Sequence, residues 1–182
     1  MSLISVIDLG TGSIRNTVYN QSGKILDVKK RDNPILYPKP GWAEQDPHYW
    51  WTAVKETFRD FSPEIRNSIS AISATSQREG IVPINEKFEP LSNIIIWLDG
   101  RTCAEGDEIV EKLGEQAIYD ITGLVANPAW SLSKILWIKK HQQEIYANAF
   151  KFLQAEDYIL SRLSGKAVTE FSIASRTCML DV

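Results

Sequence analysis

The chain has 182 residues, 43% of them hydrophobic and 24% charged, with a formal net charge of −3, which is the size and mix of one soluble domain able to bury a sizeable core. No Lys/Arg run or basic face stands out, so no nucleic-acid partner is expected, and no apolar run approaches the ~20 residues that cross a bilayer, so no membrane partner is expected either. Met1-Ser2-Leu3-Ile4 has no basic stretch and soon reaches Asp8, unlike a secretion signal.

Residues 3–9, an apolar run ending at Gly10, predict a buried strand. Gly10-Thr11-Gly12-Ser13 is a turn, residues 14–20 a second strand, and Asn20-Gln21-Ser22-Gly23 another turn before a third strand over 24–31. The chain thus opens as an antiparallel meander. Residues 32–45 form a Pro-rich loop. Asp46-Pro47 signals a helix start, and Trp50, Ala53, Val54, Thr57, Phe58 and Phe61 follow at helical spacing. Residues 69–76 read as a buried strand, and 81–84 and 93–97 as two short ones. After Gly100 the pattern is helical: Ala104, Ile109, Val110 and Leu113 share one face, and Leu132, Ile135, Leu136 and Lys139 mark another helix. A strand near 150–153 precedes a helix over 155–163 closed by Gly165. Strands first and then strand–helix alternation give an α/β layered domain.

The residue types single out three places. Asp8, at a strand end beside a glycine turn, can hold Mg²⁺ through water. Around it, backbone N–H groups at Gly10 and Gly12, with Thr11, Ser13 and Arg15, can donate to phosphate oxygens. The same spacing also suits an ordinary hairpin, and no P-loop Gly-Lys-Ser/Thr follows. Arg78 and Glu79 form an adjacent donor and acceptor that fits vicinal hydroxyls, or else an exposed pair in a turn. Asp99, after Trp97-Leu98, can accept from a hydroxyl or cap the following helix. The six tryptophans serve packing, or wall a pocket for sugar CH faces. Cys103 and Cys178 match no metal spacing and are expected as free thiols in a reducing cytoplasm.

These segments resemble, in order, those of the FGGY carbohydrate kinases. Ile7-Asp8-Leu9-Gly10-Thr11-Gly12-Ser13-Ile14-Arg15 is similar to the family's opening strand and phosphate turn, and Pro40-Gly41-Trp42-Ala43-Glu44-Gln45-Asp46-Pro47 to its Pro-Gly-Trp loop. Ser76-Gln77-Arg78-Glu79-Gly80 resembles the sugar-binding turn, and Trp97-Leu98-Asp99-Gly100-Arg101 the Trp-x-Asp-x-Arg segment. Asp157-Tyr158-Ile159, Leu163-Ser164-Gly165 and Ala174-Ser175-Arg176-Thr177 follow in family order. Arg78-Glu79 stands where xylulose kinases carry Met-His, and the run Gln77–Val82 looks most like the autoinducer-2 kinase and glycerol kinase branch. Ala129 stands where glycerol kinases carry Tyr.

The resemblance implies an actin-like, ribonuclease-H-like ATPase fold, a mixed sheet flanked by helices. It implies ATP- and Mg²⁺-dependent phosphorylation of a hydroxyl on a small sugar or polyol in the cytoplasm. Asp8 would hold the metal through water, Thr11, Gly12, Ser13 and Arg15 would face the phosphate, and Arg78, Glu79, Trp97 and Asp99 would contact the substrate. Family members are longer and two-domain, so the expectation is a truncated N-terminal domain. The catalytic base would then lie beyond Val182, the nucleotide-binding domain would be absent, and kinase activity would be trace at most. An exposed apolar seam and self-association, such as a homodimer, go with that. The alternative is a non-catalytic sugar-binding or regulatory module.

Overall fold

The computed structural model describes residues 2–182. In chain order the elements are β1 (Leu3–Leu9), β2 (Ser13–Tyr19), β3 (Ile25–Asp32), β4 (Glu44–Gln45), α1 (Pro47–Arg59), α2 (Pro63–Ser68), β5 (Ile69–Ser76), β6 (Val82–Ile84) and β7 (Ile94–Ile95). They continue with α3 (Cys103–Leu113), α4 (Glu115–Thr122), α5 (Ser131–His141), α6 (Gln143–Asn148), β8 (Lys151–Leu153), α7 (Ala155–Ser164) and α8 (Phe171–Ala174). They divide into two compact units: the residues up to Ile35 with Pro47–Gln77, and Leu36–Asp46 with Arg78–Val182.

The first unit is a four-stranded mixed sheet in the order β3-β2-β1-β5. The expected meander is present: β1 pairs antiparallel with β2, and β2 with β3, while β5 runs parallel to β1. Opposite residues on antiparallel strands share a face. Ser5↔Val18, Ile7↔Asn16 and Leu9↔Ile14 therefore line one side, and all six are buried. Against that side lies α1, with Trp50, Ala53, Val54 and Thr57 buried at helical spacing. Leu3, Val18 and Phe61 form a small core with Phe58, Ile65 and Ile69 packed on it.

Three polar residues sit inside this apolar layer. Ser5 Oγ donates to Asn16 Oδ1 at 2.6 Å, Asn16 Nδ2 donates to Thr57 Oγ1 at 3.3 Å, and the Thr57 hydroxyl donates to Val54 O at 2.7 Å. Every link of this chain is satisfied, so it fixes the register of α1 on the sheet. Replacing Asn16 by Leu strips the Ser5 hydroxyl of its buried acceptor. We expect Asn16→Leu to lower stability in urea unfolding by about 2 kcal/mol. Adding Ser5→Ala should cost less than the sum of the two, because both changes remove the same bond.

Strand β5 corrects the sequence reading. It is a strand, but an exposed one, with Ile72 40% accessible. Its small and branched residues match those of a buried strand, yet it lies at the sheet edge with a partner, β1, on one side only. Helix α2 was not anticipated, although Ser62-Pro63 carries its start signal: the Ser62 side chain accepts from Ile65 N, and Pro63 is the first helical residue.

The second unit is built on two short antiparallel ladders, β4–β7 and β6–β8. The strand expected over 93–97 is reduced to Ile94–Ile95, and the Pro-rich loop contains its partner β4. Ile81, Ile95, Trp137 and Ile138 form a core cluster, joined by Trp42, Ile135, Ile145 and Phe152. Helix α5 packs on α3 and α6. A Cβ at Gly106 of α3 would meet Pro128 Cα at 2.9 Å, so only glycine lets the helix approach that segment so closely. Helix α7 begins with a reciprocal capping box between Gln154 and Asp157 and ends at Gly165 in the left-handed region. The short helices α4, α6 and α8 were not anticipated from periodicity. Among the described residues no helix is long and apolar enough to cross a membrane, and Cys103 and Cys178 are free thiols.

Candidate functional site

In the first unit the candidate phosphate turn joins β1 to β2. Gly10 N donates to Ser13 O at 2.9 Å, and a Cβ at Gly10 would sit only 3.1 Å from that oxygen, so the tight turn needs glycine there. Nothing lies within 4 Å of a Cβ position at Gly12, which leaves the outer side of the turn open. Asp8 and Arg15 are opposite residues on the ladder, on the face away from α1. Arg15 Nη1 is 3.9 Å from Asp8 Oδ2, and both side chains are about half exposed, 48% and 42%. Thr11 Oγ1 donates to Gln77 Oε1 at 3.2 Å. Asp8, Thr11, Gly12, Ser13 and Arg15 are therefore gathered on one turn.

A residue that sequence reading missed sets the shape of this turn. Asn33 is buried beneath it. Its Nδ2 donates to Gly10 O at 2.8 Å, its backbone N–H donates to Gly12 O at 3.1 Å, and its Oδ1 accepts from Trp50 Nε1 at 2.8 Å. Asn33-Pro34 after a strand reads simply as a loop opening, so nothing local announced this clamp.

Among the described residues no three His, Cys, Asp or Glu side chains gather into a metal cage. A lone exposed carboxylate at Asp8 fits Mg²⁺, which keeps most of its water and binds proteins through one or two carboxylates and substrate phosphates. The hydroxyls of Thr11 and Ser13 and the Arg15 guanidinium fit the phosphate oxygens such an ion accompanies.

In the second unit Arg78 and Glu79 sit side by side with different surroundings. Arg78 is exposed and makes no hydrogen bond or ion pair with another described residue. Glu79 has φ 66°, a conformation costly for a side chain of this kind. Its N–H donates to Gln154 Oε1 at 2.9 Å, its carbonyl accepts from Ser131 Oγ at 3.3 Å, and its Oε1 accepts from Arg176 Nε at 2.8 Å. The carboxylate is 13% exposed, and its other oxygen accepts no bond from a described residue.

Trp97 is 44% exposed. Asp99 is different: its side chain is fully buried. It takes Arg101 Nε at 2.8 Å and Arg101 Nη2 at 2.7 Å in a bidentate pair, and it also accepts from the backbone N–H groups of Ala43 at 2.6 Å and Arg101 at 2.9 Å. Four hydrogen bonds fill its acceptor positions, leaving none for a ligand hydroxyl. It does not cap α3 either, whose N-cap is Thr102. Asp99 is a brace. Arg101 reaches on to Glu44 Oε1 at 2.8 Å and lies 3.6 Å above the Trp42 ring.

Lys134, also missed, is wholly buried on α5 and donates to Ala129 O. Burial pushes its ammonium down to about 8, with Asp99 and Glu79 holding it up and Arg101 pressing it further down. The signal for it was a lysine three and four residues before Trp137 and Ile138, on the face that α5 buries. Burial likewise pushes Glu156 up to about 7 and Asp157 up to about 6.

The model of the N-terminal domain of the FGGY family of carbohydrate kinases matches residues 3–182. The chain is 31% identical to a xylulose kinase of Staphylococcus xylosus and 35% identical to a glycerol kinase of Cereibacter sphaeroides, in each case over 100% of this chain. It spans 38% and 39% of those two proteins. The structure of gluconate kinase from Lactobacillus acidophilus superposes with a TM-score of 0.91 at 30% identity, covering 99% of this chain and 37% of the other.

Proposed function

The chain belongs to the FGGY family of carbohydrate kinases, whose actin-like fold it shares, and on that premise we propose that it is the hydroxyl-recognition part of an ATP-dependent kinase acting on a small sugar or polyol. The observation that carries this reading is the Arg78–Glu79 pair. An exposed, unpartnered guanidinium stands next to a carboxylate with one oxygen held and one open. Arg78 would donate its fork to hydroxyl oxygens, and Glu79 would accept a hydroxyl proton in a hydrogen bond. Trp97 offers an apolar face to the carbon skeleton. Asp99 contributes through Arg101 and the Trp42–Glu44 segment that it braces.

In the first unit Thr11, Gly12, Ser13 and Arg15 would donate to phosphate oxygens, and Asp8 would accept from the waters of Mg²⁺. When bound, Mg-ATP supplies the transferable phosphoryl group. Kinase catalysis of this kind is mostly positioning and charge stabilisation. We infer that the base that takes the hydroxyl proton lies outside these residues, and expect the chain itself to turn over at background. The relatives named for xylulose and for glycerol match at similar identity, 31% and 35%. Overall likeness therefore does not choose the substrate.

Titration calorimetry with glycerol, xylulose and gluconate tests the reading. At least one should bind, and Arg78→Ala and Glu79→Ala should each weaken it by about tenfold or more, the scale of a hydrogen bond to a charged group. If none binds, the reading fails. ADP release at an enzyme-like rate would put a base within these residues and overturn its placement.

A further inference from the structure

The C-terminal segment of the second unit holds Glu79 from two directions. Gln154, buried at the start of α7, uses both ends of its amide: Oε1 accepts the Glu79 N–H at 2.9 Å, and Nε2 donates to Ile173 O at 2.7 Å. Arg176 stands just beyond α8, with its N–H donating to the same Ile173 O at 3.2 Å. Its Nε holds Glu79 Oε1 at 2.8 Å, and its guanidinium lies 4.3 Å over the Trp130 ring. A guanidinium held between a ring face and a carboxylate has less freedom to turn, which narrows the direction of its N–H bond. The backbone of Glu79, in its unusual left-handed conformation, and its carboxylate are thus both set by residues far along the chain. A strained residue held this fully is characteristic of a functional site.

We propose that Arg176 is a positioning residue for substrate selection: with its own guanidinium lying on the Trp130 face, it holds one carboxylate oxygen of Glu79 and so aims the other at a single hydroxyl of the ligand. Arg176 then acts through Glu79 and does not itself touch the substrate. The inference rests on the polyol-binding reading above and adds the device that makes Glu79 selective. An unfixed carboxylate could swing to accept from several hydroxyls. A fixed one rewards the ligand that carries a hydroxyl at one place and leaves that acceptor unmet when that hydroxyl is missing.

The test compares affinity for the best binder among glycerol, xylulose and gluconate with affinity for its analogue lacking the hydroxyl that Glu79 accepts. That analogue is the one whose deficit Glu79→Gln abolishes. Wild type should prefer the parent compound by about tenfold or more. Arg176→Gln should weaken the parent by about tenfold while leaving the deoxy analogue within about twofold, so the preference collapses. Arg176→Lys should restore part of it. Arg176→Gln combined with Glu79→Gln should bind no worse than Glu79→Gln alone, since both changes break one device. Circular dichroism establishes that each variant is folded, and the lysine variant carries the test if the glutamine variant is not. Parallel loss for parent and analogue, or additive loss in the double variant, would overturn the role of Arg176 while leaving the polyol reading intact. A wild-type chain that binds none of the three sugars takes both down together.

Discussion

Arg101→Met should lower the stability of the chain by about 3–5 kcal/mol, the cost typical of breaking a buried ion pair from one side. The side chains of Arg101 and Asp99 are 2% and 0% exposed, and Glu44 is 13% exposed. Removing the guanidinium leaves the Asp99 carboxylate with its two backbone donors and no hydrogen-bonded counter-charge. It also removes the cation from the faces of Trp42 and Trp137, 3.6 and 5.1 Å away. Arg101→Lys should recover little, because a single ammonium cannot serve both Asp99 oxygens and Glu44 as the planar fork does. Arg101→Met with Asp99→Asn should recover part, since a neutral amide needs no counter-charge. Urea unfolding midpoints of the variants check this. A loss under about 1 kcal/mol for Arg101→Met would mean that the pair behaves as a solvated surface bridge.

Stability should rise, not fall, as the pH climbs from about 8 towards 10. Lys134 has its ammonium pushed down to about 8 by burial, against 10.5 in the unfolded chain. Below pH 8 both states carry the proton, and the folded state bears the desolvation penalty. Between 8 and 10.5 the folded state releases the proton first, so the unfolded state binds more protons and stability grows with pH. The full rise is on the order of 3 kcal/mol. On the acid side the sign is reversed. Glu156 and Asp157, held up at about 7 and about 6, keep protons in the folded state that the unfolded state has released. Stability therefore declines from about pH 5 to 7, giving a minimum between 7 and 8. Above pH 9, Cys178 and Tyr158, both pushed up by burial, work against Lys134. The difference between wild type and Lys134→Met isolates the lysine. Thermal melts from pH 5 to 10 should show the alkaline rise in wild type and its absence in Lys134→Met. A dome centred on pH 7 would refute the assignment.

What could be read from the sequence, and what could not, divides along physical lines. The meander, α1 and the Gly165-closed helix α7 were legible because period, turn residues and caps are all local. The exposure of β5 was not, because burial depends on what lies beside a strand rather than on its own residues. Asp8, Thr11, Gly12, Ser13 and Arg15 were found together because one turn holds them all. Asn33 and Arg176 were not given roles, since their partners lie far off in sequence: Gly10 and Trp50 for the first, Glu79 for the second. Asp99 was picked out, but its bracing of Arg101 was not legible, because nothing in Trp-Leu-Asp-Gly-Arg reveals that the aspartate folds back onto its own arginine.

The path of the chain through its two units also constrains how the protein can assemble. Leu36–Asp46 leaves the first unit, lends β4 and Trp42 to the second, and returns at Pro47 to start α1. The partner strand β7 and the bracing Arg101 are synthesised only later. During synthesis the first sheet can close, parallel strand included, once Ser76 has emerged. The Pro-Gly-Trp loop, closed on itself by the Leu36–Glu44 bridge, must meanwhile wait without β7, and Trp42 without Arg101 and Trp137. Docking of that loop within the second unit therefore follows the emergence of β7, Arg101 and Trp137.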